Sequence, residues 1–138
     1  MYEYTRAVFY YETDKMGVVH HSNYVRWLEE ARTAFFNDSG IPYAQMEADG
    51  VVIPVTNIDL KFKRFSSYGD SFTVRVEMTR YTGVRFEMAY TVANQNGDKL
   101  LEAVTGHAFV GDDHRPVALS RVLPGRHEVM QTLVRGPF

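Results

Sequence analysis

"SNYVRWLEEARTAFFNDSGIP", residues 22–42, carries one apolar stripe and its own stop signals. Tyr24, Trp27, Leu28, Ala31, Ala34 and Phe35 recur at three- and four-residue intervals, which places them on one face of an α-helix. Ser22 or Asn23 is the expected N-cap, because either side chain accepts a hydrogen bond from an orphan amide. Gly40 suits the left-handed position just past the helix, and Pro42 blocks continuation. Arg26 and Glu30 stand four apart and are expected to pair on the outer face. This is the clearest helix in the chain, at roughly four or five turns.

Outward from it, the hydrophobic period changes. Residues 43–49 suggest a short second helix. Beyond them Ile58, Leu60 and Phe62 alternate with Asp59, Lys61 and Lys63, a period of two that marks a strand. Residues 66–70 read as a turn. Phe72, Val74, Val76 and Met78 then alternate with polar residues, as do Val84, Phe86, Met88, Tyr90 and Val92 after a turn at Thr82-Gly83. Asn96-Gly97 is a strong hairpin signal and leads into a last strand over roughly 99–110. Upstream of the helix, residues 2–12 are extended in character. The tail from 111 suggests little beyond a helical turn near 124–130. The order is strand, long helix, four-strand meander: an α+β chain with a curved, mainly antiparallel sheet of about five strands. One helix cannot cover such a sheet unless the sheet curls around it. Faces or edges are then left for another subunit, so an oligomer is expected.

The chain has 138 residues, enough for one domain spanning 1–138 with a core that needs no staples. A formal net charge of −2 gives no general pull toward nucleic acid or anionic lipid. The absence of cysteine excludes disulfides, cysteine-ligated zinc and a thiol nucleophile. No apolar run approaches the roughly 20 residues that span a bilayer, and the N-terminus does not read as a signal peptide, so the expected location is cytoplasmic.

Motif chemistry is sparse. There is no nucleophile elbow, Walker loop, dinucleotide-binding glycine motif or zincin motif. What remains is "TDKMGVVHH", residues 13–21. His20 and His21 are adjacent, so in extended backbone their rings point to opposite sides, and His107, His114 and His127 lack ligand spacing; no metal or other cofactor is expected. Asp14 reads first as a turn residue with Gly17. The same geometry also serves acyl transfer. A helix N-terminus offers unpaired amides that hold an oxyanion, and a carboxylate on the preceding loop attacks the carbonyl carbon or deprotonates a water beside it. A thioester suits this pair best, because its leaving group asks little of an acid catalyst.

The stretch "FYYETDKMGVVHHSNYVRWLEEART", residues 9–33, resembles the opening of the hotdog-fold acyl-CoA thioesterases, in the branch of 4-hydroxybenzoyl-CoA thioesterase and YbgC-like proteins. The resemblance rests on an aromatic-rich strand, an acid, a D-x-x-G-[VI]-V turn and an Asn/Ser-Tyr-x-x-aromatic helix start. It implies a hotdog fold, a long helix wrapped by the sheet, and a dimer that is often paired again into a tetramer. It also implies an acyl-CoA substrate hydrolysed to a carboxylic acid and CoA. Carried over by position, the catalytic aspartate falls on Asp14, the oxyanion amide on His21, and the tyrosine of the helix start on Tyr24. Asn23 stands where the motif has Asn or Ser, and Gly17 shapes the turn. His20 replaces a residue that is often tyrosine and is open to a proton-transfer role. Glu29 and Glu30 could stand for the helix glutamate of the other thioesterase branch; surface charge is the simpler reading. CoA phosphates call for a basic rim, for which Lys61, Lys63, Arg64 and Arg85 are candidates. The alternatives are an acyl-carrier-protein thioesterase, a hotdog enoyl-thioester hydratase or dehydratase using His20, and a non-catalytic acyl-thioester-binding protein.

Overall fold

A computed structural model describes residues 1–136. Its elements in order are β1 (Tyr2–Ala7), a 3-10 turn (Tyr10–Glu12), α1 (His21–Asp38), α2 (Tyr43–Ala48), β2 (Val55–Phe62), β3 (Ser71–Tyr81), β4 (Arg85–Asn94), β5 (Lys99–Ala108), α3 (Leu119–Val122) and α4 (Pro124–Leu133). The strands form one antiparallel sheet in the order β1-β3-β4-β5-β2. This is the expected α+β hotdog architecture.

The period-two residues of the meander do what their pattern predicts. Phe72, Val74, Val76 and Met78 of β3, and Phe86, Met88, Tyr90 and Val92 of β4, are all buried on one face. Tyr24, Trp27, Leu28, Ala31 and Phe35 of α1 are buried with them in one continuous core. Trp27 stacks on Phe72 with ring centroids 3.7 Å apart. The two hairpins turn where expected, with Gly83 (φ +90°) and Gly97 (φ +82°) in the left-handed region that glycine enters at least cost.

Four local expectations fail. The first strand stops at Ala7, and the chain breaks into the 3-10 turn that leaves Tyr10 and Tyr11 on the surface. The N-cap is His20, not Ser22 or Asn23. Glu30 pairs with Arg6, not with Arg26: Arg6 Nε donates to Glu30 Oε1 at 2.7 Å. The helical turn expected near 124–130 is present within α4, but the rest of the tail is more ordered than its composition suggests. Leu119, Met130 and Leu133 are buried, Arg126 pairs with Asp49, and the Tyr81 hydroxyl and His127 Nδ1 are hydrogen bonded at 2.6 Å. All four are settled by partners distant in sequence.

β2 lies at the edge of the sheet, and Val55, Ile58 and Phe62 are each more than two-fifths exposed. It runs alongside α1, with Phe62 against Tyr24 near the helix start. A bulge between Val55 and Asn57 presses the Asn57 side chain against Gly106, where no Cβ fits. Among the described residues no helix is long and apolar enough to cross a membrane.

Candidate active site

The chain between the 3-10 turn and α1 is a tight hairpin. Thr13 and Val19 form an antiparallel bridge, and the Asp14 N–H donates to Val18 O at 2.9 Å. The Gly17 N–H donates back to Asp14 O at 3.0 Å, and Gly17 adopts φ +80°. That is a turn closed by a left-handed residue, hence the glycine. The Asp14 side chain braces it, with Oδ1 accepting from the Met16 N–H at 2.8 Å. Oδ2 has no protein partner among the described residues.

The hairpin is tied to the helix entrance at one atom. The Glu12 carbonyl oxygen accepts the His20 N–H at 2.9 Å and the Asn23 Nδ2 at 3.0 Å. Asn23 is therefore spent on this clamp, and His20 takes over the cap: its Nδ1 accepts from the Ser22 N–H at 3.3 Å and lies 2.9 Å from Ser22 Oγ. His21 is the first helical residue, where an amide has no intrahelical acceptor. The two histidine rings do not diverge. Their centroids are 4.2 Å apart, because the backbone passes from extended at His20 into helix at His21. Among the described residues no group of three or more His, Asp or Glu is placed to hold a metal ion.

Tyr24 is fully buried, and its hydroxyl accepts the Ser66 N–H at 2.9 Å. It anchors the 66–70 turn on which the hairpin rests through the Val19 N–H to Ser66 O bond of 2.8 Å. Tyr10, Tyr11, Met16, Phe65 and Tyr68 surround the hairpin, each more than 60% exposed. Together they make an exposed apolar patch at this end of the molecule.

One functional group was not foreseen. Glu12 is 3% exposed and accepts four hydrogen bonds: from Arg6 Nη1 (2.9 Å) and Nη2 (2.7 Å), the Phe9 N–H (2.8 Å) and Trp27 Nε1 (2.7 Å). Burial pushes its carboxyl up, but the bonds from Arg6, Phe9 and Trp27 and the Arg6 charge outweigh it and hold the group below the usual carboxylate range. Arg6 also lies over the Phe9 ring at 4.1 Å and bonds Glu30. This knot fixes the strand end, the 3-10 turn and α1 together directly ahead of Asp14. In the sequence Glu12 shows only as an acid between aromatics and a turn; its partner is six residues back on another element.

The basic candidates do not converge. Lys61 faces Glu102 across the β2–β5 ladder, and Arg64 pairs with Asp98 at 2.8 Å. Lys63 and Arg64 precede the 66–70 turn and lie at the hairpin's end of the molecule. Arg85 opens β4 beside Tyr81, at the far end of β3 from the hairpin, where it lines a cavity of about 150 Å³ with Arg80, Thr82 and His107.

Comparison with known proteins agrees with this fold. The model of the thioesterase-like superfamily matches residues 8–131. A Bacillus subtilis relative, YneP, which carries a provisional designation as an acyl-CoA thioesterase, is 34% identical over 87% of this chain and 88% of its own length. A 1,4-dihydroxy-2-naphthoyl-CoA hydrolase from Thermosynechococcus vestitus is 30% identical over 82% of this chain and 78% of its own. The solved structure of a DHNA-CoA thioesterase from Staphylococcus aureus superposes with a TM-score of 0.89 and 31% identity, covering 94% of this chain and 87% of that one.

Proposed function

The chain belongs to the thioesterase-like superfamily, and on that footing we propose that it is an acyl-CoA thioesterase with Asp14 as nucleophile or general base. One observation carries the reading. A carboxylate with a free oxygen sits on a hairpin that Glu12 O clamps to the N-terminus of an 18-residue helix, whose His21 amide has no intrahelical acceptor. The His21 amide and the helix dipole stabilise the oxyanion as water, or Asp14 itself, adds to the thioester carbonyl. The C–S bond then breaks, CoA leaves as thiolate, and the acyl group ends as a carboxylate. In the nucleophilic route water cleaves the acyl-aspartyl anhydride in a second step. The hydratase reading is less suited: the His20 Nδ1 accepts the Ser22 N–H, so the neutral ring carries its proton on Nε2 and neither nitrogen is free to act as a base.

The assembly completes the site. In this reading the exposed β2 edge and the apolar collar of Tyr10, Tyr11, Met16, Phe65 and Tyr68 form a dimer interface, and Lys63, together with Arg64 beside its Asp98 partner, meets CoA phosphates there. Thiol release from a panel of acyl-CoA and acyl-carrier-protein thioesters tests the activity, with sedimentation for the dimer. Turnover of a CoA ester by a dimer is the expected result. Turnover of carrier-protein esters alone would reassign the substrate, and no turnover of any ester would overturn the proposal.

A further inference from the structure

The first turn of α1 is held in an uncommon way. Of its leading amides, the Ser22 N–H donates to His20 Nδ1 at 3.3 Å and the Asn23 N–H to His20 O at 3.0 Å. The His21 N–H makes no hydrogen bond among the described residues. His20 thus ties down the neighbouring amides and leaves free the one assigned to the oxyanion. Ser22 Oγ, 2.9 Å from the same ring nitrogen, adds a second contact. The His20 backbone is fixed as well, because its N–H donates at 2.9 Å to Glu12 O, the atom that also takes Asn23 Nδ2. One residue therefore joins the end of the Asp14 hairpin to the helix entrance.

A histidine in this position is a cap that protons can remove. The residues that favour an N-cap are Ser, Thr, Asn and Asp, and each keeps an acceptor oxygen between about pH 5 and about pH 8. An imidazole gains its proton in that range. The neutral ring accepts at Nδ1 and carries its hydrogen on Nε2; the cation has a hydrogen on both nitrogens and accepts nothing. It also sets a positive charge at the positive end of the helix dipole. The nearest ionisable neighbour is His21, whose ring centroid lies 4.2 Å from that of His20. Glu12, Asp14 and Lys15 precede the helix, and the 66–70 turn brings Asp70, with Lys63 and Arg64 before it. The Glu12 carboxylate is taken by Arg6 and Trp27, and that of Asp70 by Ser67 and Gln95. Among the described residues no ion pair steadies a His20 cation.

Resting on the thioesterase reading, we propose that His20 is a positioning residue for the oxyanion site and works only as the neutral imidazole, so that acidification switches the site off. With a proton on Nδ1 the Ser22 N–H is released, and the first turn loosens around the His21 amide. The Asp14 hairpin stays clamped through Glu12 O, so the two halves of the site lose their alignment. His20 touches neither the thioester carbonyl nor the leaving sulfur; it acts through Ser22 and the helix end.

The test compares wild type, His20→Asn and His20→Ala from about pH 8 to about pH 5. Asn caps throughout this range and Ala caps nowhere in it. With the acyl-CoA ester turned over best, wild-type kcat should fall on acidification at least about tenfold further than that of H20N, and by no more than the ~10²–10³ that losing an oxyanion donor outright costs. H20A should be slow throughout, with a pH profile of the same shape as that of H20N. Asp14 and His21 are common to all three proteins, so the ratio isolates His20. His20 is exposed, and circular dichroism at each pH excludes unfolding. The Ser22 amide proton shift, followed by NMR, reads the cap without substrate: it should track the His20 ring in wild type and stay fixed in H20N. A tracking Ser22 amide with no ester hydrolysed at any pH would sink the thioesterase reading, and the positioning role with it, and leave an acid-labile cap. Equal acid losses in wild type and H20N, a wild-type rate that rises on acidification relative to H20N, or a Ser22 amide blind to His20 would each overturn the proposal with the thioesterase reading intact.

Discussion

Replacing Glu12 with Gln removes one charge from the knot ahead of Asp14 and leaves its shape. The carboxylate takes four donors at 2.7–2.9 Å. Gln supplies one acceptor oxygen and turns an N–H toward Arg6 or Trp27. Breaking a buried pair in this way costs about 3–5 kcal/mol. Arg6 keeps Glu30 at 2.7 and 3.0 Å, so the lower end, about 3 kcal/mol, applies. For a domain of this size that lowers Tm by roughly 10 °C. Urea unfolding at pH 7 measures the loss, at fixed protein concentration because assembly adds stability. The pH dependence has a definite sign. The folded carboxyl titrates below its unfolded value of about 4.3, so its contribution is complete above that value and is lost as pH falls through the folded one. The gap between wild type and E12Q should therefore be full at pH 7 and narrow below about pH 4. A loss under 1 kcal/mol at pH 7, with the urea slope unchanged, would refute the claim that this ion pair holds the Asp14 hairpin.

Gly17→Ala forces φ +80° on a residue with a Cβ and should cost about 1 kcal/mol, with a larger proportional fall in thiol release because the Asp14 turn shifts. Tyr24→Phe strands the buried Ser66 N–H and should cost about 1–3 kcal/mol, while turnover at saturating substrate stays within about tenfold; a loss of several orders of magnitude would place the phenol in the chemistry. Burial, reinforced by the Arg32 charge, pushes His107 down to about 3, so between there and the unfolded value near 6.5 the unfolded chain binds more protons and stability drops as the pH is lowered. The slope is at most about 1.4 kcal/mol per pH unit. His107→Gln should flatten it between pH 6.5 and 5 in urea titrations, and an unchanged slope would mean that His107 is not buried neutral.

The meander was legible because its alternation is local and long: a strand with four buried residues on one face admits one register. The long helix was legible from its stripe and from Gly40 and Pro42. Its first turn was not, since Asn23 is drawn away to the Glu12 carbonyl and His20 caps instead. The end of β1 was unreadable for a related reason. Phe9, Tyr10 and Tyr11 have strong strand propensity, but Glu12 folds the chain back onto Arg6 and Trp27. Arg26 and Glu30 have the spacing of a pair, and an arginine on β1 outcompetes that spacing. The tail helices are short and weakly patterned, and their order comes from contacts with α2 and β3. At the site, Asp14 and Gly17 stood out by position in a motif, whereas Arg32 shows as a buried arginine held by tyrosines only once Tyr43 and Tyr90 are folded around it.

Asp14→Asn tests the central claim most directly. Asn keeps an Oδ1 for the Met16 N–H, so the hairpin survives while the anionic oxygen is lost. The chain has no cysteine, so a thiol reagent reports only released CoA. With the acyl-CoA ester that the wild type turns over best, release by the variant should fall by orders of magnitude at unchanged circular dichroism. Release within tenfold of wild type would contradict the account and leave Asp14 as a turn residue.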